Sequence, residues 1–134
     1  MQVTATVVTA TGITLLVDRI DNTSTATQAW IGWGTGGSST GATATNADTG
    51  LKAAATEAWV AATLSQPDTD SNRFVATITA GTAKTIEEAI VFFGTTTATG
   101  TATNRCLIRA SHGGQTLATG DSIQYTITMT ATSV

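Results

Sequence analysis

Gly32, Gly34 and Gly37 stand at the spacing G-x-G-x-x-G behind a short aromatic segment, formally the fingerprint of a dinucleotide site. That chemistry needs a helix to open at the glycines, so that its N-terminal amides face a pyrophosphate. The next residues, Ser38-Ser39-Thr40-Gly41, offer no apolar helix face, and the glycines read as a flexible turn. Asp68, Asp70 and Asn72 resemble the first ligands of a calcium loop. Arg73, however, occupies the place of that loop's glycine and Thr79 the place of its closing glutamate, so a solvated polar loop fits better.

Ser111-His112-Gly113-Gly114 has the outline of an oxyanion loop, yet His112 is the one histidine and no G-x-S-x-G elbow supplies a nucleophile. One histidine and one cysteine cannot complete a zinc set. Cys106 sits among the apolar positions of a strand-like segment, which suits a buried structural thiol, and with no second cysteine no intrachain disulfide forms. Glu87 and Glu88 are adjacent, so on a strand they point to opposite faces and cannot flank one glycosidic bond. No catalytic residue, cofactor site or metal site emerges, and a non-enzymatic protein is expected.

Trp30, Trp33 and Trp59 remain as candidates. Core packing is the ordinary role of each. Trp30 and Trp33 lie three apart, so on a strand they face opposite sides, which places one of them outside the core, where aromatics anchor interfaces.

The elements that would position these residues are read from periodicity. Ile123, Tyr125, Ile127 and Met129 alternate with Gln124, Thr126, Thr128 and Thr130 after the turn residues Gly120-Asp121, the mark of a half-buried strand. Val3, Ala5 and Val7 alternate with threonines, and Ile13, Leu15 and Val17 alternate behind a turn at Gly12. Gln28 to Trp33, Thr56 to Leu64, Phe74 to Thr79, Ile86 to Phe93 and Cys106 to Arg109 complete about eight strands. The run Ile90-Val91-Phe92-Phe93 reads as buried on both sides. Gly50 to Val60 is alanine-rich and admits two or three helical turns. Gly34 to Gly50 reads as a long loop of small residues, of the kind that carries function. The fold class expected is all-β: a single-domain β-sandwich or jelly roll over residues 1–134 with at most a short helix. Residues 1–27 form N-terminal strands or an arm.

Composition agrees with this and narrows the function. Threonine supplies about a quarter of the 134 residues, and its branched Cβ favours strands. Charged residues make up 11%, against about 25% in ordinary soluble domains, while 41% are hydrophobic. That balance describes a folded chain with a surface of hydroxyls and methyls, whose short side chains lose little entropy on contact with a partner. A net charge of −3 and scattered basic residues, apart from the pair Arg105 and Arg109, argue against a nucleic-acid partner. No apolar run reaches the ~20 residues of a membrane helix, and Met1-Gln2-Val3-Thr4 does not begin a signal peptide, so synthesis in the cytoplasm is expected and no membrane partner.

Several short motifs then carry a likeness. They are Trp33-Gly34-Thr35-Gly36, Asp48-Thr49-Gly50-Leu51, Thr56-Glu57, Phe74-Val75-Ala76-Thr77-Ile78-Thr79, Ile86-Glu87-Glu88-Ala89 and, most specific, Gly120-Asp121-Ser122-Ile123-Gln124-Tyr125-Thr126. In this order the chain resembles, from about Gln28 to Thr132, small virion proteins of tailed phages known as capsid decoration or tail-fibre-like proteins. Ala89 stands where those proteins usually have a glycine, and the first 27 residues have no counterpart. The resemblance implies a homotrimeric β-sandwich that binds the major capsid protein at local threefold positions of an icosahedral shell and so resides on the capsid surface. The alternatives are a tail or fibre component touching the host and, in a different class, a carbohydrate-binding sandwich whose tryptophans stack on sugars. The N-terminal segment Met1 to Ala10 and the Gly34 to Gly50 loop are the expected partner-contacting parts, with Val3, Thr4, Ala5, Thr6, Trp30, Trp33, Thr35, Ser38, Ser39 and Thr40 as candidate contacts. An alternative for Val3 to Val7 is an integral strand.

Overall fold

A computed structural model describes residues 2–4, 7–20, 28–37, 43–94 and 106–131. Nine strands and one helix are found among them, arranged as two sheets packed face to face. The first sheet has the order β1-β9-β6-β5, built from β1 (Gln2–Thr4), β9 (Ser122–Thr130), β6 (Ser71–Thr79) and β5 (Thr63–Asp68). The second has the order β2-β8-β7-β3-β4, built from β2 (Val7–Val8), β8 (Cys106–Leu117), β7 (Lys84–Gly94), β3 (Gln28–Gly34) and β4 (Val60–Ala61). The all-β sandwich expected from the sequence is what the chain forms.

Period-2 alternation builds the first sheet. Across the antiparallel β6–β9 pair, Ile78 meets Ile123, Ala76 meets Tyr125 and Phe74 meets Ile127, and all six are buried. The intervening Thr77, Thr79 and Gln124 are exposed on the other face. The chain reverses before β9 at a turn in which Gly120 takes φ 90°, a conformation few other residues adopt, and the Asp121 amide donates to the Ala118 carbonyl. From the second sheet, Ala29, Ile31, Trp33, Ala89 and Val91 fill the other half of the core. Trp33 meets Tyr125 edge-to-face with centroids 6.4 Å apart, and Phe93 meets Phe74 in the same way at 6.3 Å. Ile90 and Phe92 point to the opposite face of the second sheet and are buried there too, as the unbroken apolar run implies.

Both edges of the sandwich are bridged by chain that changes sheets. At one edge β1 pairs parallel to β9 in the first sheet, and β2 pairs antiparallel to β8 in the second. The N-terminal segment is therefore integral strand over its described residues, the alternative reading of Val3 to Val7. At the other edge β4 lies beside β3, and after the buried Ala62 the chain continues as β5 beside β6. The exposed β5 edge carries Pro67 and a register shift between Ser65 and Asp68, features that discourage pairing with a further strand.

Four expectations are corrected. Ile13 to Val17, read as a strand, lies inside helix α1 (Ala10–Ile20). Thr9 caps it: its hydroxyl accepts the Gly12 amide at 3.0 Å and its carbonyl accepts the Ile13 amide. Ile13, Leu16, Val17 and Ile20 fit a helical period as well as Ile13, Leu15 and Val17 fit a strand, and the cap decides. Gly12, read as a turn, is in the first turn of this helix, where a Cβ would collide with the Leu107 backbone. Finally, Thr56 to Leu64 is not one strand, and Gly50 to Val60 holds no helix; residues 43–59 form an irregular strap laid across the outer face of the second sheet.

Candidate interaction surface

The two outer faces of the sandwich have opposite characters. That of the second sheet is covered by the strap. Leu51 and Trp59 bury themselves with Ile90, Phe92 and Cys106, and Trp59 meets Phe92 edge-to-face at 4.4 Å. The glycines of the G-x-G-x-x-G stretch make room for it. A Cβ at Gly32 would stand 2.8 Å from the Trp59 indole, one at Gly34 would strike the Ala53 carbonyl and Glu88, and one at Gly37 would strike Glu87. They are packing glycines rather than a flexible turn, and Gly32 and Gly34 belong to β3.

Two ionic clasps hold the strap down. In the first, Arg109 of β8 and Glu88 of β7 are fully buried and 2.6 Å apart. Arg109 also donates to Asp48 of the strap at 2.8 Å and to the Gly36 carbonyl at 3.1 Å. Glu88 accepts the strap amides of Lys52 at 3.0 Å and Ala53 at 2.8 Å, and Lys52 reaches Asp48 at 2.7 Å. Burial alone raises the Asp48 carboxyl, but the donors from Lys52, the Thr45 amide and Arg109 outweigh it and bring it down to about 2. In the second clasp Glu57 accepts Lys84, the Gly81 amide at 2.9 Å and the Trp33 indole at 3.1 Å. Burial again opposes ionisation, and these donors lower the Glu57 carboxyl to about 2. Six of the chain's fifteen charged side chains, nine acidic and six basic in total, serve these clasps.

Cys106 beneath the strap is fully buried, and burial pushes its thiol up to about 12, which suits the expected structural role. Arg109, half of the basic pair read from the sequence, faces inward to carboxylates of its own chain; Arg105 lies outside the described residues. His112 stands 3.4 Å from the buried Tyr125 hydroxyl, whose own ionisation is pushed upward by burial. Asp68, Asp70 and Asn72 belong to the exposed β5–β6 hairpin, where Asp70 accepts the Ser71 hydroxyl and the Ala131 amide. Among the described residues no group of three or more His, Cys, Asp or Glu is placed to hold a metal, and no helix is long and apolar enough to cross a membrane.

Among the described residues, no element covers the outer face of the first sheet. That face is mainly a field of hydroxyls and amides: Thr77 and Thr79 on β6, Ser122, Gln124 and Thr130 on β9, and Thr63 and Ser65 on the edge strand β5, with the half-buried Val75 between them and with Arg73 and, opposite Ser71, Asp68 as its charges among the described side chains. Pleat spacing sets its outward residues about 7 Å apart along each strand and about 5 Å between strands.

The candidate contacts do not gather on one surface. Val3 and Thr4 lie on β1, in register with Ile127 and Thr128 at the rim of that face. Trp30 is half-buried on the strap side, its indole 3.4 Å from the Gly94 carbonyl. Trp33, the other tryptophan among the candidates, is 1% exposed in the core and donates its indole N–H to Glu57. Thr35 is exposed, and its amide donates to the Ala53 carbonyl of the strap at 2.8 Å. Ala5, Thr6, Ser38, Ser39 and Thr40 lie outside the described residues. No protein-family model, curated protein or solved structure matches this chain.

Proposed function

We propose that this chain is a capsid decoration protein of a tailed phage, a non-enzymatic homotrimer that binds the major capsid protein on the assembled icosahedral shell. The observation that carries the reading is the placement of charge. Five of the six clasp side chains face inward, with Lys52 half-exposed, and a broad sheet face is left mainly with hydroxyls, Arg73 and Asp68 being its charges among the described side chains. A rigid, weakly charged β surface loses little entropy and little charge hydration on contact, which suits permanent attachment to a repeating lattice. The Gly120 to Thr126 motif, the most specific part of the phage resemblance, forms the start of β9 and contributes Ser122 and Gln124 to that face. A protein that binds the assembled lattice better than free subunits stabilises the shell, and a trimer with three attachment points turns weak contacts into avidity. The carbohydrate reading has little to draw on, because Trp33 and Trp59 are buried and Trp30 is half-buried.

The test is the copy number per virion, measured by quantitative mass spectrometry of purified particles. Hundreds of copies, and rebinding of the purified protein to stripped shells, support decoration. A handful of copies moves the protein to the tail.

A further inference from the structure

The strap meets the second sheet differently from the way the sheets are built. It makes one bridge of ladder type, Gly34 to Ala54, and a few backbone bonds, the Thr35 amide to the Ala53 carbonyl and the Ala55 amide to the Trp33 carbonyl, with one more from the Ala10 amide of α1 to the Asn46 carbonyl. The β6–β9 pair, by contrast, runs through nine consecutive residue pairs. The rest of the strap's hold is the burial of Leu51, Ala55 and Trp59 together with the two ionic clasps. When the strap lifts, Asp48 and Lys52 leave with it, while Arg109 and Glu88 remain paired on the sheet. Water then solvates groups that burial had desolvated, which offsets much of the attraction lost. Segments held by few ladder bonds open more readily than the core they cover. Beneath this one lie Ile90, Phe92 and Cys106, fully or nearly fully buried.

We propose that residues 43–59 open as one unit while both sheets stay paired, uncovering the Cys106 thiol and an apolar face on the second sheet. The protein thus carries a concealed apolar surface opposite its hydroxyl face, and the ionic clasps set how often that surface is shown. Nothing in this depends on what the hydroxyl face binds.

Cys106 is the only cysteine, so its reaction with N-ethylmaleimide in the full-length protein reads the opening directly. Labelling is expected below the unfolding transition followed by circular dichroism, with a urea dependence well under half as steep, because the slope tracks the surface exposed. Asp48→Asn is expected to quicken labelling by about tenfold or more. Lys52→Gln, at a half-exposed position, should quicken it less and serves if Asp48→Asn fails to fold. Ile127→Val weakens the first sheet, so it should lower the circular-dichroism midpoint and leave the labelling rate unchanged. The proposal is overturned if labelling has the full unfolding slope and Ile127→Val accelerates it. It is equally overturned if Asp48→Asn and Lys52→Gln leave the rate alone, which would place the opening at the start of β8 instead.

Discussion

Arg109 and Glu88 stand on neighbouring strands of the second sheet, both without solvent exposure, with guanidinium and carboxylate 2.6 Å apart. The guanidinium also donates to the Asp48 carboxylate and the Gly36 carbonyl. A buried ion pair adds little over a well-packed apolar pair, but removing one member strands the others without water. Arg109→Met leaves Glu88 and Asp48 as adjacent buried carboxylates, and a loss of about 3–5 kcal/mol in urea unfolding is expected. A loss below about 1 kcal/mol would mean that the strap lifts in the variant and lets water solvate them.

Ile127 packs opposite Phe74 at the centre of the first sheet with no exposed surface. Ile127→Ala is expected to cost about 2–5 kcal/mol, since the core cannot collapse fully onto the missing atoms. An unchanged melting temperature would contradict the burial.

The difference between these two sites also separates what the sequence discloses from what it does not. Ile127 is visible because β9 alternates strictly, and β6 shows its face in the same way, while β7 shows itself as an unbroken apolar run buried on both faces. The opposite-face reading of Trp30 and Trp33 rests on the same period and holds. Helix α1 is hidden because its apolar residues satisfy two periods at once and its capping Thr9 is one threonine among many. The strap is hidden for a different reason: it has no period, and its anchor Arg109 lies 61 residues from Asp48 in the chain. One local signal existed. Gly32 and Gly34 share a face of β3, and two glycines on one side of a strand mark a close approach of other backbone or an indole.

Gly12 tests the helix packing. In an exposed helix Gly→Ala stabilises by up to about 1 kcal/mol. Here the new methyl meets the Leu107 carbonyl, which is backbone of β8 and cannot step aside. Gly12→Ala is therefore expected to destabilise by about 1–3 kcal/mol, and a gain in stability would show that α1 does not sit on β8 as described.

Acid should loosen the clasps late. Asp48 and Glu57 have carboxyls near 2, lowered from 3.8 and 4.5. A carboxyl depressed by folding contributes stability that is complete above its unfolded value and is lost as pH falls through its folded value. Stability is expected to be insensitive to these two groups above about pH 5 and to fall by a few kcal/mol between about pH 4.5 and 2. Asp48→Asn should flatten part of that slope. A steep loss near pH 6 would point away from the clasps.

The hydroxyl face makes the sharpest test of shell binding. With Arg73 and Asp68, opposite in sign, as its charges among the described side chains, the face has little means of steering a partner over distance, and shell affinity should change little between low and physiological salt. Gln124 and Thr77 are directly opposed on β9 and β6 and both exposed, so replacing them leaves the core alone. Gln124→Glu with Thr77→Glu places two like charges in register on that face. Binding to stripped shells should weaken on the order of tenfold or more, because a contacting shell would have to desolvate unpaired carboxylates. The melting temperature should shift by only a few degrees. Light scattering on the same variant asks about the trimer separately: a trimer that persists while shell binding fails assigns the face to the shell, and a trimer that dissociates assigns it to the subunit interface. Unchanged shell binding and an unchanged trimer would remove the face from both roles and return attention to the β1 rim beside Ile127 and Thr128.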